Sequence, residues 1–152
     1  MDTKTLTAAD IDAMEAGTEL DRIVAEKVMG YSMYHYDKDY KDACYWMLID
    51  SEGDSVEWKP NYRDIEHKTE AEAWAACPKF STDIAAAFEV LDKVSKNYRL
   101  WFANLRMHGM EKEDGTQVET WVADLTGEPR KVASAPTPAL AICRAALKAS
   151  IS

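Results

Sequence analysis

Two strand-like stretches constrain this fold most, because both carry large apolar residues on two faces. The alternation in residues 98–107 places Trp101, Ala103, Leu105 and Met107 on one face, and Leu100 and Phe102 on the other. Residues 117–124 repeat this pattern after a polar, glycine-bounded turn over residues 108–115. A sheet with one solvent-exposed face alternates more cleanly between apolar and polar residues. We therefore expect both faces of this sheet to be covered.

Helical patterns before and after these strands supply that cover. One helix follows residues 81–83 and ends near Asn97. Its predicted buried stripe is Ile84, Ala87, Phe88, Leu91 and Ser95. A last helix is predicted over residues 139–149, with Leu140, Cys143 and Leu147 on its buried face. The sequence thus predicts one α+β domain over residues 1–152, a three-layer alpha–beta–alpha sandwich around a mainly antiparallel sheet.

The remaining segments predict shorter elements. Helices are predicted after Thr7 and after Thr18, each of which is expected to be an N-cap. The second has Leu20, Ile23, Val24 and Val28 on one face and a glycine cap at Gly30. Residues 31–41 are interpreted as a loop, 44–49 as a strand and 56–58 as its returning partner. Residues 69–76 predict one or two helical turns, and residues 130–134 predict a short edge strand.

The composition disfavours nucleic-acid binding. The chain has 152 residues, 47% of them hydrophobic, and a net charge of −9. We expect no direct nucleic-acid binding, because so acidic a chain repels a phosphate backbone. A few local arginines or a helix N-terminus can still hold a phosphorylated small ligand. The acidity also leaves open a nucleic-acid mimic, although solubility alone is a sufficient explanation.

The cysteines and the first residues indicate a reducing compartment. Cys44, Cys77 and Cys143 are far apart, odd in number and without a CxxC pair, so neither a disulfide framework nor a zinc ribbon is expected. Residues 1–4 lack the pattern of a signal peptide, and no apolar run approaches membrane-spanning length. We therefore expect a cytoplasmic protein without a membrane partner.

Three segments resemble the phage ABA sandwich domain family. They are residues 17–21 with 24–30 (GTELD and VAEKVMG), residues 80–90 (FSTDIAAAFEV) and residues 137–147 (TPALAICRAAL). The resemblance implies an alpha–beta–alpha sandwich, a phage or prophage origin and action inside a bacterial host cell. It implies no reaction and no catalytic residue, and it leaves residues 31–77 unmatched.

The charged and hydroxyl residues near the predicted helix ends give the first candidate ligand site. Ser81 and Thr82 can bind a phosphate at a helix N-terminus, but helix capping is favoured because Asp83 repels an anion there. Arg144 lies at the edge of an apolar stripe and needs a partner. That partner is either a carboxylate such as Asp83 or Asp21, which is favoured, or a ligand phosphate or carboxylate.

The tryptophans give a second set of candidates. Trp46, Trp101 and Trp121 fall within strand patterns, which favours core packing, whereas Trp58 and Trp74 lie in the unmatched segment. A nucleotide site would combine an aromatic ring such as that of Trp101 with an arginine, namely Arg144, Arg106 or Arg99. A protein-binding surface would instead expose Trp58, Tyr62 or Trp74.

Catalytic and metal-binding motifs are missing from the sequence. The three histidines, His35, His67 and His108, show no metal-ligand spacing, and residues 37–42 fit a calcium loop poorly. No GxSxG, P-loop or GxGxxG pattern occurs. We therefore expect no metal and no cofactor.

These observations favour a non-catalytic phage accessory protein that counters host defence. It would sequester a small nucleotide signal or bind a host protein, and a homodimer is compatible with either role. A small enzyme acting on a nucleotide is the alternative, and it predicts carboxylates or histidines that converge in a cleft. The acidic nucleic-acid mimic is a further alternative.

Overall fold

The computed structural model describes residues 5–37, 44–97, 100–111, 113–115, 117–127 and 130–151. Its helices are α1 (Ala8–Ala13), α2 (Thr18–Val24, continued by a wider π-helical turn over Ala25–Met29), α3 (Glu70–Trp74), α4 (Ile84–Asn97) and α5 (Pro138–Ser150). Its strands are β1 (Ser32–Asp37), β2 (Cys44–Ile49), β3 (Leu100–Glu111), β4 (Gln117–Gly127) and β5 (Lys131–Ala135). Helices combined with two antiparallel sheets confirm the predicted α+β sandwich.

The last helix, α5, lies at the centre of the core. Thr137 caps it by accepting a hydrogen bond from the Leu140 N–H at 3.3 Å, and Pro138 occupies its first turn. The predicted face of Leu140, Cys143 and Leu147 is buried, and so are Ala141, Ile142 and Ala145. A helix that is apolar on most of its faces is packed against neighbouring elements on most of them. Accordingly α5 contacts β4 and β5, as well as α4 and the N-terminal helices.

A three-stranded antiparallel sheet in the order β3-β4-β5 covers one side of α5. Leu105 of β3 is opposite Ala123 of β4, which in turn is opposite Ala133 of β5. Ala123, Leu125, Ala133 and Ala135 are buried in the core. The small alanines let α5 approach the sheet closely, and the predicted edge strand is confirmed as β5.

The other sheet is a hairpin of β1 and β2, and here two predictions were wrong. Residues 31–41 were expected to be a loop, yet Ser32–Asp37 is a strand that pairs with β2. Residues 56–58 form no strand; only Ser55 bridges to Ile49, and the Val56 N–H donates to the Leu48 carbonyl. The sequence of β1 shows no apolar alternation. The strand is stabilised instead by stacked rings, Tyr36 with Tyr45 and His35 with Trp46.

The helix α4 exists as predicted, but its buried face is rotated from the predicted stripe. Ala86, Ala87, Val90 and Val94 are buried, and Leu91 is half-buried. Ile84 is 39% exposed and Phe88 is 52% exposed, and Ser95 is also exposed. Two adjacent alanines let α4 approach the core closely, which turns the larger Ile84 and Phe88 side chains outward.

The N-terminal helices follow their capping signals with one difference. Thr7 and Asp10 form a reciprocal capping box at α1. Thr18 was expected to cap α2, but it is the first helical residue and Gly17 precedes it. Gly30 ends the π-helical turn as predicted, with a left-handed φ of 74°. A Cβ atom there would lie 3.2 Å from the Ser51 Cβ, so this position also favours glycine sterically.

Candidate functional site

Trp58 is the most exposed large apolar side chain in the described part of the chain. Its side chain is 85% exposed, compared with 52% for Phe88, the next most exposed. It lies in residues 55–67, here called the Trp58 loop, between β2 and α3. A tryptophan normally buries a large area of apolar surface. Among the described residues, the Trp58 indole is therefore the large apolar side chain with the greatest exposed fraction.

Backbone hydrogen bonds attach the Trp58 loop to the outer edge of β2 at both ends. At one end the Val56 N–H donates to the Leu48 carbonyl at 3.0 Å. At the other end Trp46 and His67 exchange two backbone hydrogen bonds, of 2.6 and 2.9 Å. The buried side chain of Ile65 anchors the short 3₁₀ turn over Tyr62–Ile65 between them. The loop therefore has a fixed path across β2.

Side-chain contacts of Glu57 join the two ends of the Trp58 loop beside the indole. The Glu57 carboxylate lies 2.8 Å from His67 Nε2 and 3.1 Å from Lys59 Nζ. Burial opposes ionisation of Glu57, but the hydrogen bonds from His67 and Lys59 outweigh it and hold the pKa of Glu57 below its usual value. The Ser55 hydroxyl donates to the Glu57 carbonyl at 3.0 Å. Glu57 thus fixes the backbone immediately before the exposed indole.

The other two predicted protein-binding residues are placed differently. Trp74 is half-buried, and the Arg22 guanidinium lies over its ring, 4.3 Å from the centroid. Its indole Nε1 is buried and finds no acceptor in the described part of the chain. Tyr62 begins the 3₁₀ turn, but its side chain lies outside the described residues.

A cavity of about 770 Å³ lies between α2 and α3. Its lining includes Arg22, Trp74 and Lys79, together with the acidic Glu19 and Glu70. Sequence reasoning missed this cavity because nothing in the spacing of Arg22 and Trp74 shows that α3 folds back against α2.

Ser81 has a structural role in the core, and the residue that caps α4 is Asp83. Ser81 is 0% exposed, and its hydroxyl donates to the Asp21 carboxylate at 2.6 Å. The same carboxylate oxygen accepts the Ser81 backbone N–H at 2.7 Å. At the start of α4 it is Asp83 that accepts a hydrogen bond, from the Ala85 N–H. Thr82 is exposed, but Ser81 has no surface left for a phosphate.

Arg144 pairs with backbone carbonyls, so the expected ion pair with Asp83 or Asp21 was wrong. Its Nε and Nη2 donate to the Met14 carbonyl at 3.2 and 2.7 Å, and its Nη1 donates to the Ser134 carbonyl at 2.9 Å. Met14 follows the last residue of α1, and Ser134 belongs to β5. Arg144 therefore joins three elements of the fold.

The expected nucleotide site of arginine and aromatic ring is not assembled by the described side chains. Arg106 on β3 lies 3.7 Å from the Asp124 carboxylate, which Arg130 also contacts at 2.9 Å. The hydrogen bond from Arg130 lowers the pKa of Asp124 despite its burial. A cavity of about 500 Å³ beside Arg144 has no aromatic residue in its described lining. Arg99 and the side chain of Trp101 lie outside the described residues.

A third cavity, of about 490 Å³, brings carboxylates together. Asp50, Asp83 and Glu89 line it with Tyr31. Burial and the neighbouring Glu89 raise the pKa of Tyr31 to about 12. Three carboxylates therefore line one cavity, whereas neither His35 nor His67 is part of its lining. Within the described residues no three acidic, histidine or cysteine side chains are grouped to hold a metal.

Comparison with known proteins identifies the family. The sequence profile described as the Phage ABA sandwich domain matches residues 22–147. No curated protein and no solved structure gives a match. None of the helices in the described ranges combines the length and the hydropathy that a membrane-spanning segment requires. The matched range includes α4 and most of α5, two of the elements that carried the resemblance. The chain therefore belongs to the phage ABA sandwich domain family and is a phage-type protein.

Proposed function

We propose that this phage protein is a non-catalytic binder of a bacterial host protein, with Trp58 as the anchoring side chain. It would act in the host cytoplasm, where capture of a defence component would benefit the phage. The observation that carries the proposal is an indole 85% exposed on a loop fixed at both ends.

The geometry of the Trp58 loop suits recognition rather than chemistry. Binding hot spots are enriched in tryptophan, and each one contributes about 2 kcal/mol or more when it enters a partner's pocket. A loop already held by Glu57 and His67 loses little conformational freedom on binding. The flanking Lys59 and Asn61 are exposed and would form part of the polar rim around the indole.

The test is affinity capture followed by reconstitution with the purified partner. Wild-type protein and Trp58→Ala are used to capture proteins from a lysate of the bacterial host, and the captured protein is then titrated by calorimetry. Trp58→Ala should weaken binding by about 30-fold, which corresponds to about 2 kcal/mol. Phe88→Ala is the matched control, because Phe88 is also exposed but lies on α4. Equal affinity of wild type and Trp58→Ala for the captured protein would contradict the proposal.

Nucleotide sequestration remains a second candidate, supported by the cavity of about 770 Å³ between α2 and α3. There Lys79 and the Arg22 guanidinium, which is stacked on the Trp74 ring, supply positive charge. The site differs from the one expected around Arg144. Calorimetry with a panel of cyclic nucleotides tests it: binding should be lost in Arg22→Ala, and no heat from wild-type protein excludes it.

A further inference from the structure

The strand β1 has an open edge, unlike its partner β2. Among the described residues, the hairpin sheet contains these two strands alone. The outer edge of β2 bonds to the Trp58 loop through Trp46 and Leu48. No corresponding backbone bond reaches the outer edge of β1 from the described parts of the chain. An open edge is a template for pairing with another strand.

The register shows which groups of β1 point outward. Trp46 directs its N–H and carbonyl to His67, away from β1. In an antiparallel pair, two residues directly opposite each other direct their backbone groups either both inward or both outward. His35 is opposite Trp46, so its N–H and carbonyl also point outward. The same reasoning applies to Met33, opposite Leu48, and alternation extends it to Asp37.

The edge strand β5 is protected in a way that β1 is not. Lys148 donates to the Val132 carbonyl at 3.1 Å, and Arg144 donates to the Ser134 carbonyl at 2.9 Å. Charged side chains over an edge discourage pairing with another chain. The sequence of β1, SMYHYD, contains no lysine, arginine or proline. Its central residues carry aromatic rings, and Tyr34 is 44% exposed.

We propose that β1 pairs antiparallel with β1 of a second copy of this chain, around a two-fold axis at His35. This register places His35 opposite the second copy's His35, and Met33 opposite the second copy's Asp37. All the outward backbone donors and acceptors then meet complementary groups. Tyr34 lies across from the second copy's Tyr36, which forms an aromatic cross-strand pair.

The charges and the size of the sheet favour a second copy as the occupant. Asp37 is the one charged residue of β1, and in this register the residue paired with it is Met33 rather than another acidic residue. Two-stranded sheets are marginal on their own, and the pairing converts two of them into one four-stranded sheet. The Trp58 loop lies on the other edge of the hairpin, so the dimer leaves Trp58 accessible and the proposal is independent of the function proposed above.

The first test compares two substitutions at the centre of the interface. His35→Pro removes the outward N–H without removing a hydrogen bond of the hairpin, and His35→Asn controls for loss of the imidazole. Sedimentation and native mass spectrometry should show a dimer for wild type and His35→Asn. The dissociation constant should rise by at least about tenfold in His35→Pro. A monomeric wild type, or a His35→Pro dimer of unchanged affinity, overturns the proposal.

The second test does not depend on the folding of the proline variant. Opposed residues of a hydrogen-bonded antiparallel pair have Cα atoms about 5.5 Å apart, within the range of a disulfide. In a Cys44→Ser background, His35→Cys should therefore cross-link two copies under mild oxidation. Val132→Cys, exposed on the protected edge strand β5, is the control. Equal cross-linking by the two variants, or none from His35→Cys, contradicts the register.

Discussion

The carboxylate of Asp21 in α2 accepts the hydroxyl and the backbone N–H of Ser81, at 2.6 and 2.7 Å. Asp21 is 5% exposed, so this pair connects two buried parts of the core far apart in sequence. The Ser81 hydroxyl also accepts the Gly17 N–H at 2.9 Å, just before α2 begins. One short side chain therefore holds the start of α2 against the start of α4.

Ser81→Ala should destabilise the fold by about 1–3 kcal/mol, because it leaves a buried carboxylate with one donor fewer. Urea denaturation followed by circular dichroism measures the change. Thr82→Ala is the matched control, since Thr82 is exposed and should change stability by less than about 0.5 kcal/mol. Similar midpoints for the two variants would contradict the structural role of Ser81.

Acid should weaken the Trp58 loop through Glu57. The pKa of Glu57 is lower in the folded protein than its usual value of 4.5, so between these two values the unfolded chain binds the proton more readily. The free energy of unfolding is therefore highest above this window and falls as the pH falls through the folded pKa. Glu57→Gln should be less stable than wild type at pH 7, with a difference that shrinks in acid. Glu52→Gln, at an exposed turn, should follow wild type at every pH.

Arg144→Met should lower stability and increase aggregation together. The substitution removes the donors to the Met14 and Ser134 carbonyls, and hydrogen bonds from a charged group contribute about 1.5–3 kcal/mol each. It also uncovers part of the β5 edge. Thermal unfolding and light scattering measure the two effects. Arg63→Met, at an exposed position, should change neither the stability nor the aggregation. An Arg144→Met protein that does not aggregate would contradict the protection of the β5 edge by Arg144.

Thiol reagents should label Cys44 first in the native protein. Cys44 is exposed, with its sulfur 3.3 Å from His35 Nε2, whereas Cys143 is buried. Burial raises the pKa of Cys77 to about 12 and also raises that of Cys143. Because the thiolate is the reactive form, iodoacetamide followed by mass spectrometry should find Cys44 alkylated well before the other two. In denaturant the three should react at similar rates.

The elements that the sequence predicted well are those with local signals. Thr137 and Pro138 mark the start of α5, and glycine marks the end of the π-helical turn at Gly30. The strand β1 has no such signal, because its stability comes from rings on β2, whose pairing no local pattern encodes. A strand held by cross-strand stacking looks like a polar loop in the sequence.

The candidate sites were less predictable because partners distant in sequence decide them. The position of Arg144 at the edge of an apolar stripe correctly indicated partial burial. Its partners are backbone carbonyls, which every residue carries, so nothing in the sequence distinguishes them. Trp74 packs against the core with Arg22 over its ring, whereas Trp58 is 85% exposed, and nothing in the sequence around either residue distinguishes the two. Binding through Trp58 stays a prediction.

The rotated face of α4 gives a direct test of the packing. Val90 is fully buried whereas Phe88 is 52% exposed, although the spacing of large apolar residues had placed Phe88 in the core. Val90→Ala should therefore destabilise the protein by about 1–3 kcal/mol through lost burial and the remaining cavity. Phe88→Gln should cost less than about 0.5 kcal/mol, because its ring loses little buried area. Chemical denaturation of both variants decides between the two faces. A larger loss of stability in Phe88→Gln would restore the sequence-based stripe, and the reverse order would establish that the face carrying Val90 is the one packed against the core.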